Sequence, residues 1–202
     1  MTLLVNHPER DEIRERLRQN IVLRRLEPSA FSELGSSLAI MDYRKGDVLL
    51  SQGAHEMEQY FVLDGILKRV VASPEGKEMI LRFAKEDDMD TSYAAWRLRT
   101  PAPYSIRCVT KARVAKLPLP QWADFLEAHP DMKEDFEYEV MFLMSEIMAH
   151  TITLHLLDAP RRVHRFARKH ADLVERVPKK ELASYLNLSA ETLSRLKHSG
   201  KI

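Results

Sequence analysis

Glu191 and Arg195 stand one helical turn apart, just after a serine and close to the C-terminal end of the 202-residue chain. At that spacing Ala190, Glu191, Ser194, Arg195 and His198 share one face of a helix. Arg195 has the fork to donate two hydrogen bonds to a guanine edge, and Glu191 the carboxylate to accept from a cytosine amino group. Ser189, Thr192 and the N–H groups of the first turn suit phosphate, as does Lys197. Such a face is suited to double-stranded DNA.

The flanking residues predict what positions this face. Pro178 suits a first helical turn, and Ala183 is small where two helices cross. Asn187 tolerates the left-handed backbone of a tight turn, and Ser189 is a good N-cap. Leu182, Leu186, Leu188, Leu193 and Leu196 pack the pair into one core. The order helix, turn, helix follows. Charge agrees: Asp158 to Ile202 holds 11 Lys/Arg against 5 Asp/Glu, leaving 20 against 25 in the rest. A basic end on an acidic body suits a polyanion.

Upstream, Pro130 opens a helix in which Phe136, Val140, Leu143, Ile147, His150, Leu154 and Leu157 keep a heptad rhythm. This predicts a seam between two copies of the chain, with Phe136, Val140, Leu143, Ile147, His150 and Leu154 at the interface. A histidine there either makes packing pH-sensitive or is simply tolerated. Asp158-Ala159-Pro160 ends this helix, and a basic one follows from Arg161.

Between about Ile40 and Leu117 short β-type runs alternate with turn chemistry. The runs are 48–50, 60–63, 66–71, 79–83 and 105–117, and the turns are Lys45-Gly46-Asp47, Gln52-Gly53, Asp64-Gly65 and Ser73-Pro74-Glu75-Gly76. They predict a small barrel or sandwich, preceded by helices at 11–18 and from Pro28. The expected division is a barrel with flanking helices over 1–128, a dimer helix over 129–157, and a DNA-binding unit over 158–202.

Some chemistry is not expected. Cys108 is the single cysteine, so disulfide frameworks and four-cysteine metal sites are excluded. There is no phosphate loop, no nucleophile–base motif and no metal-ligand spacing, so an enzyme is not expected. Haem has only the isolated His55 and His150 to consider. The opening residues do not form a signal peptide and no apolar run is long enough for a membrane span, so a soluble cytoplasmic protein is expected.

From about Ile40 onward the chain resembles the Crp/Fnr family of bacterial transcription regulators. The resemblance rests on the Ser189-x-Glu191-Thr192-x-x-Arg195 core, on Tyr60-Phe61-Val62 before Gly65, and on Glu75-Gly76-Lys77-Glu78-Met79-Ile80. It implies an α+β chain with a double-stranded β-helix barrel, a long dimerisation helix and a C-terminal helix-turn-helix. It also implies a homodimer on double-stranded DNA, with RNA polymerase as a further partner.

The sequence departs from the family's pattern in three places. Where the family's nucleotide cassette has Gly-Glu and Arg-Ser pairs, this chain has Thr91-Ser92 and Ala102-Pro103, after an acidic Asp87-Asp88-Met89-Asp90 turn. No arginine is left for a phosphate, so cyclic AMP is not expected and no cofactor is assigned. Arg97, Arg99 or Arg107 are candidate replacements, with Tyr93, Trp96 and Tyr104 lining an altered pocket. Thr91, Ser92, Tyr93, Arg97, Arg99, Ala102 and Pro103 are thus its expected lining; the same aromatics serve equally as core. Ala190 stands where many relatives have a base-reading arginine, and the chain ends at Ile202, where a β-hairpin wing usually follows. The alternative reading is a sensor or protein-interaction module whose shortened helix pair no longer binds specific DNA.

Overall fold

The computed structural model describes residues 1–198, with the side chains of Lys197 and His198 outside the description. Two antiparallel sheets form the barrel. One has the order β1 (Thr2–Leu3), β2 (Ala39–Tyr43), β9 (Ala112–Pro118), β4 (Glu58–Asp64), β7 (Met89–Thr91). The other runs β3 (Val48–Leu50), β8 (Ser105–Cys108), β5 (Leu67–Ala72), β6 (Glu78–Ala84). The expected run 105–117 is two strands, separated by a turn at 109–111. The tightest corner joins β4 to β5. Gly65 has φ +89°, and a Cβ there would sit 2.2 Å from the Lys111 carbonyl oxygen, so only glycine fits.

Helices flank the barrel. α1 (Arg10–Leu17) buries Ile13 and Leu17, and α2 (Pro28–Ser37) buries Phe31 and Leu34. A five-residue helix, α3 (Tyr93–Arg97), follows β7. It was not legible, because the turn before it is read as an acidic loop. α4 (Leu119–Ala128) lays Trp122 edge-on to Phe61 at 5.5 Å and closes the barrel.

α5 (Pro130–Leu156) runs for 27 residues along the barrel. Here the expected seam is corrected at Phe136. Phe136 is fully buried within its own chain, edge-on to Tyr93 at 5.0 Å and to Trp122 at 5.2 Å. Val140 and Leu143 pack against the same core, and Ile147 and Leu154 are half-buried. The heptad rhythm detects an apolar face but not what covers it, and much of this one is covered by the protein's own barrel. The face left exposed carries Tyr138, Met141, Met148 and Ile152, flanked by Phe142, Met144 and Leu156.

The last three helices are α6 (Ala159–Lys169), α7 (Lys179–Tyr185) and α8 (Ala190–His198). Their core is not their own. Val163, Phe166, Leu173, Leu182, Tyr185, Leu186 and Leu193 join one cluster with Ile66, Val70, Ile80, Phe83 and Val109 from the outer face of the barrel. Strand alternation explains it. On β5, Leu67 and Arg69 point into the barrel, while Lys68 and Val70 face the helices.

Candidate functional site

Two regions carry chemistry: the interior of the barrel and the α7–α8 pair. Inside the barrel the decisive residue is one that sequence reasoning passed over. Arg69 is 2% exposed and Asp90 fully buried. The guanidinium donates from Nε to Asp90 Oδ1 at 2.6 Å and from Nη2 to the Thr91 carbonyl at 2.9 Å. It also stacks over the Tyr104 ring at 4.6 Å, whose hydroxyl donates to the same carbonyl at 2.7 Å. Burial works against the Arg69 charge, but Asp90 outweighs it and holds the guanidinium above its ordinary range. The barrel therefore does contain an arginine, one outside the expected candidates, and its charge is already neutralised by a carboxylate.

The acidic turn is explained by the same network. Asp87 takes the left-handed backbone, φ +68°, and its carbonyl accepts from Ile21 N and Asn20 Nδ2. Asp88 accepts from the Lys85 amide at 3.0 Å and lies 3.7 Å from Arg82; burial raises its carboxyl above the usual range. Asp90 belongs to Arg69. The Asp88 and Asp90 carboxylates serve turn geometry and internal charge, while Asp87 contributes its backbone carbonyl.

The expected pocket lining divides. Thr91 and Ser92 are buried beside the Arg69 network, and Ala102 is buried where its backbone bonds Gly53 and Ala54. Tyr93 is also buried, but it stacks on Trp96 and meets Phe136 beneath α5. Arg97, Arg99 and Pro103 are exposed. Arg97 rests over the Tyr93 ring at 5.9 Å with its side chain exposed, and Arg99 is exposed past the end of α3, so neither replaces a cation inside. Arg107 pairs with Glu78 at 2.5 Å.

The α7–α8 pair has the expected joints. Asn187 holds φ +53° between the helices. Ser189 Oγ accepts from the Thr192 amide at 3.1 Å and donates to the Thr192 hydroxyl at 2.9 Å. Pro178 stands one residue earlier than expected, as the extended cap before Lys179. Ala183 is buried at the helix crossing. Ala190, Glu191 and Arg195 are exposed, while Thr192 and Ser194 are half-buried. The expected contacts from the Lys197 and His198 side chains, and any wing, lie outside the described residues.

Ion pairs fasten this unit to the barrel. Lys68 meets Glu181 at 2.7 Å, Lys85 meets Asp172 at 2.6 Å, and Arg176 grips Glu86 with both nitrogens at 2.6 and 2.9 Å. Lys169 pairs with Glu146 of α5. His150, expected in an intermolecular seam, instead stacks flat on Tyr185 at 3.8 Å, with Nε2 3.0 Å from the Tyr185 carbonyl. His170 lies beside it, edge-tilted on Phe166 at 5.1 Å.

Burial pushes both imidazoles down to about 4, with Arg165 and His170 adding to the effect at His150 and Lys169, Arg82 and Lys85 at His170; Asp172 opposes it there. Neutral histidine is thus favoured in the docked state. That stability is complete above the ordinary value of about 6.5 and is lost as pH falls from there towards 4. Thermal melting midpoints are expected to decline over that window. A His150→Gln/His170→Gln variant is expected to decline less steeply; equal slopes would refute the assignment.

Residues 40–129, from β2 to just past α4, match the family model of the cyclic nucleotide-binding domain. No curated protein matches the chain. Among solved structures the fold is similar to the c-di-GMP-responsive global regulator CLP of Xanthomonas campestris, with TM-score 0.72 and 14% identity over 86% of this chain and 92% of that one. A CooA variant from Carboxydothermus hydrogenoformans gives TM-score 0.71 and 17% identity over 90% and 84%. FixK2 from Bradyrhizobium japonicum gives 0.67 and 16% over 81% and 86%. At these identities the likeness establishes the fold. Among the described residues no helix is long and apolar enough to cross a membrane.

Proposed function

We propose that this chain is a dimeric, sequence-specific DNA-binding transcription regulator of the Crp/Fnr type, and not an enzyme. The observation that carries the reading is the exposed Glu191–Arg195 face of α8, set behind a left-handed Asn187 turn and a Ser189 cap. In this reading α7 and α8 are a helix-turn-helix, α8 enters the major groove, and the first-turn amides meet phosphate. The sensor occupies 1–128, α5 with its flanks 129–157, and the DNA-binding unit 158–202. Two chains pair along the exposed face of α5, which places two α8 helices on successive turns of DNA. A cytoplasmic location and contact with RNA polymerase belong to the same reading.

The barrel then acts without cyclic AMP bound in the family's manner. A phosphate entering the interior would meet Arg69 already paired and Asp90 bearing like charge. The fastening of the helical unit to β5 and β6 supplies the coupling, because movement of that sheet displaces α7 directly.

The test is Arg195→Ala, measured on an operator enriched from random duplexes and on a scrambled duplex at the same salt. The expected loss on the operator is about 1–3 kcal/mol, with relaxed preference at one base pair. An equal loss on both duplexes would reduce Arg195 to an electrostatic anchor and remove the base-reading assignment.

A further inference from the structure

α6 carries a surface that base reading by α8 does not use. Arg161, Arg165 and Arg168 follow one another at four and three residues, so they share a face over about 10 Å of helix. The opposite face buries Val163 and Phe166. All three arginines are exposed. Among the described residues Arg161, with its side chain 74% exposed, reaches only its neighbour Asp158, at 4.0 Å. Arg165 and Arg168 form no ion pair among the described residues, and α6 itself contains no acid. With Leu157 and His164 they line a shallow groove.

Three contrasts mark this face. The cations at the edges of the helical unit that meet the barrel or α5, Lys169 and Arg176, each have a carboxylate partner. Among the described residues Arg161, Arg165 and Arg168 are exposed to solvent without such a partner beyond Asp158, although Arg165 also borders His150 of α5. Arg161 also lies in the first turn of its helix, where a cation opposes the helix dipole. Helix stability therefore does not account for it. Position does: the adjacent Arg162 donates to the carbonyls of Leu157 at 2.8 Å and Leu186 at 2.9 Å. That clamp holds the first turn of α6 against the turn that leads into Ser189, at the N-terminal end of α8.

We infer that Arg161, Arg165 and Arg168 on the outer face of α6 form a second contact with DNA, one that grips the phosphate backbone without reading sequence, beside the end of α8 that enters the groove. This rests on the DNA-binding reading above. Guanidinium groups suit phosphate oxygens, and each phosphate neutralised releases condensed counterions. The face adds affinity and orientation, while Glu191 and Arg195 supply discrimination.

The experiment compares the full chain with an Arg161→Gln/Arg165→Gln/Arg168→Gln variant, on the enriched operator and the scrambled duplex, across a salt series. Each lost contact is expected to make the log–log salt slope shallower by about 0.9, so by about 2.7 per protomer for three. Affinity is expected to fall by the same factor on both duplexes. The corresponding triple lysine variant is expected to keep most of the slope, and all three proteins are expected to melt alike. An unchanged slope in the glutamine variant, while the unaltered protein still binds its operator, would overturn the inference and leave an acidic protein surface as the partner. A loss confined to the operator would also overturn it. If the unaltered protein binds both duplexes equally but loses slope in the variant, the α6 contact stands and base reading by α8 fails. If it binds neither at low salt, both fail.

Discussion

Replacing Asp90 with alanine is expected to destabilise the barrel by about 3–5 kcal/mol, enough to consume much of the stability of an ordinary domain. The reason is not the strength of the Arg69–Asp90 bond as such. Asp90→Ala strands a guanidinium that is 2% exposed, with the Thr91 carbonyl and the Tyr104 ring as its remaining close partners. An unpaired buried charge costs far more than a missing pair. Arg82 lies 3.9 Å from the other oxygen of Asp90, so its partial compensation is lost as well. Denaturant midpoints measure the effect. The Arg69→Met/Asp90→Ala double variant removes both charges and is expected to recover most of the loss. A single variant that loses less than about 1 kcal/mol would show that the guanidinium reaches water, and would end the argument that this charge is unavailable to a phosphate.

The second large effect concerns α5. Met141→Glu with Met148→Glu is expected to raise the dissociation constant of the proposed dimer by about three orders of magnitude, as a seam that must bury carboxylates loses several kcal/mol. Both methionines are exposed, at 64% and 60%, so the folded single chain is expected to melt almost unchanged. Phe136→Ala reverses the pattern. It empties the space between Tyr93 and Trp122 and is expected to cost about 3–5 kcal/mol of folding stability while leaving the exposed face intact. Sedimentation together with thermal melts separates the two outcomes. A Met141→Glu/Met148→Glu protein that still sediments as a dimer would refute pairing through this face.

These two sites also show what a single sequence makes legible. The α7–α8 joints were readable because each is local. Asn187, Ser189 and Ala183 act within a few residues, through backbone preference, capping and size. The Gly65 corner was readable for the same reason. The Arg69–Asp90 pair was not, since its partners are 21 residues apart and meet only when β5 and β7 face one interior. An arginine within an otherwise β-like run reads as the solvent side of a strand. On α5 the apolar rhythm was visible, but a rhythm does not say which apolar face meets the chain's own barrel. The run of Tyr138, Met141, Met148 and Ile152 offered a second, equally regular stripe. His150 lay on the first stripe and belonged to a contact with Tyr185 that joins distant segments.

β5 is a party wall. Leu67 and Arg69 furnish the room on one side, and Lys68 and Val70 furnish the room on the other. A single thickness of backbone separates the buried guanidinium from the lysine that holds Glu181 of α7. The two compartments therefore share a tolerance: a side chain that bows the strand on one side takes up clearance on the other. Selection acting on the barrel interior is felt by the helices at the same residues, and a change to the seat of α7 is felt inside the barrel. The strand leaves the chain little freedom to revise the barrel interior without also revising how its helices are seated.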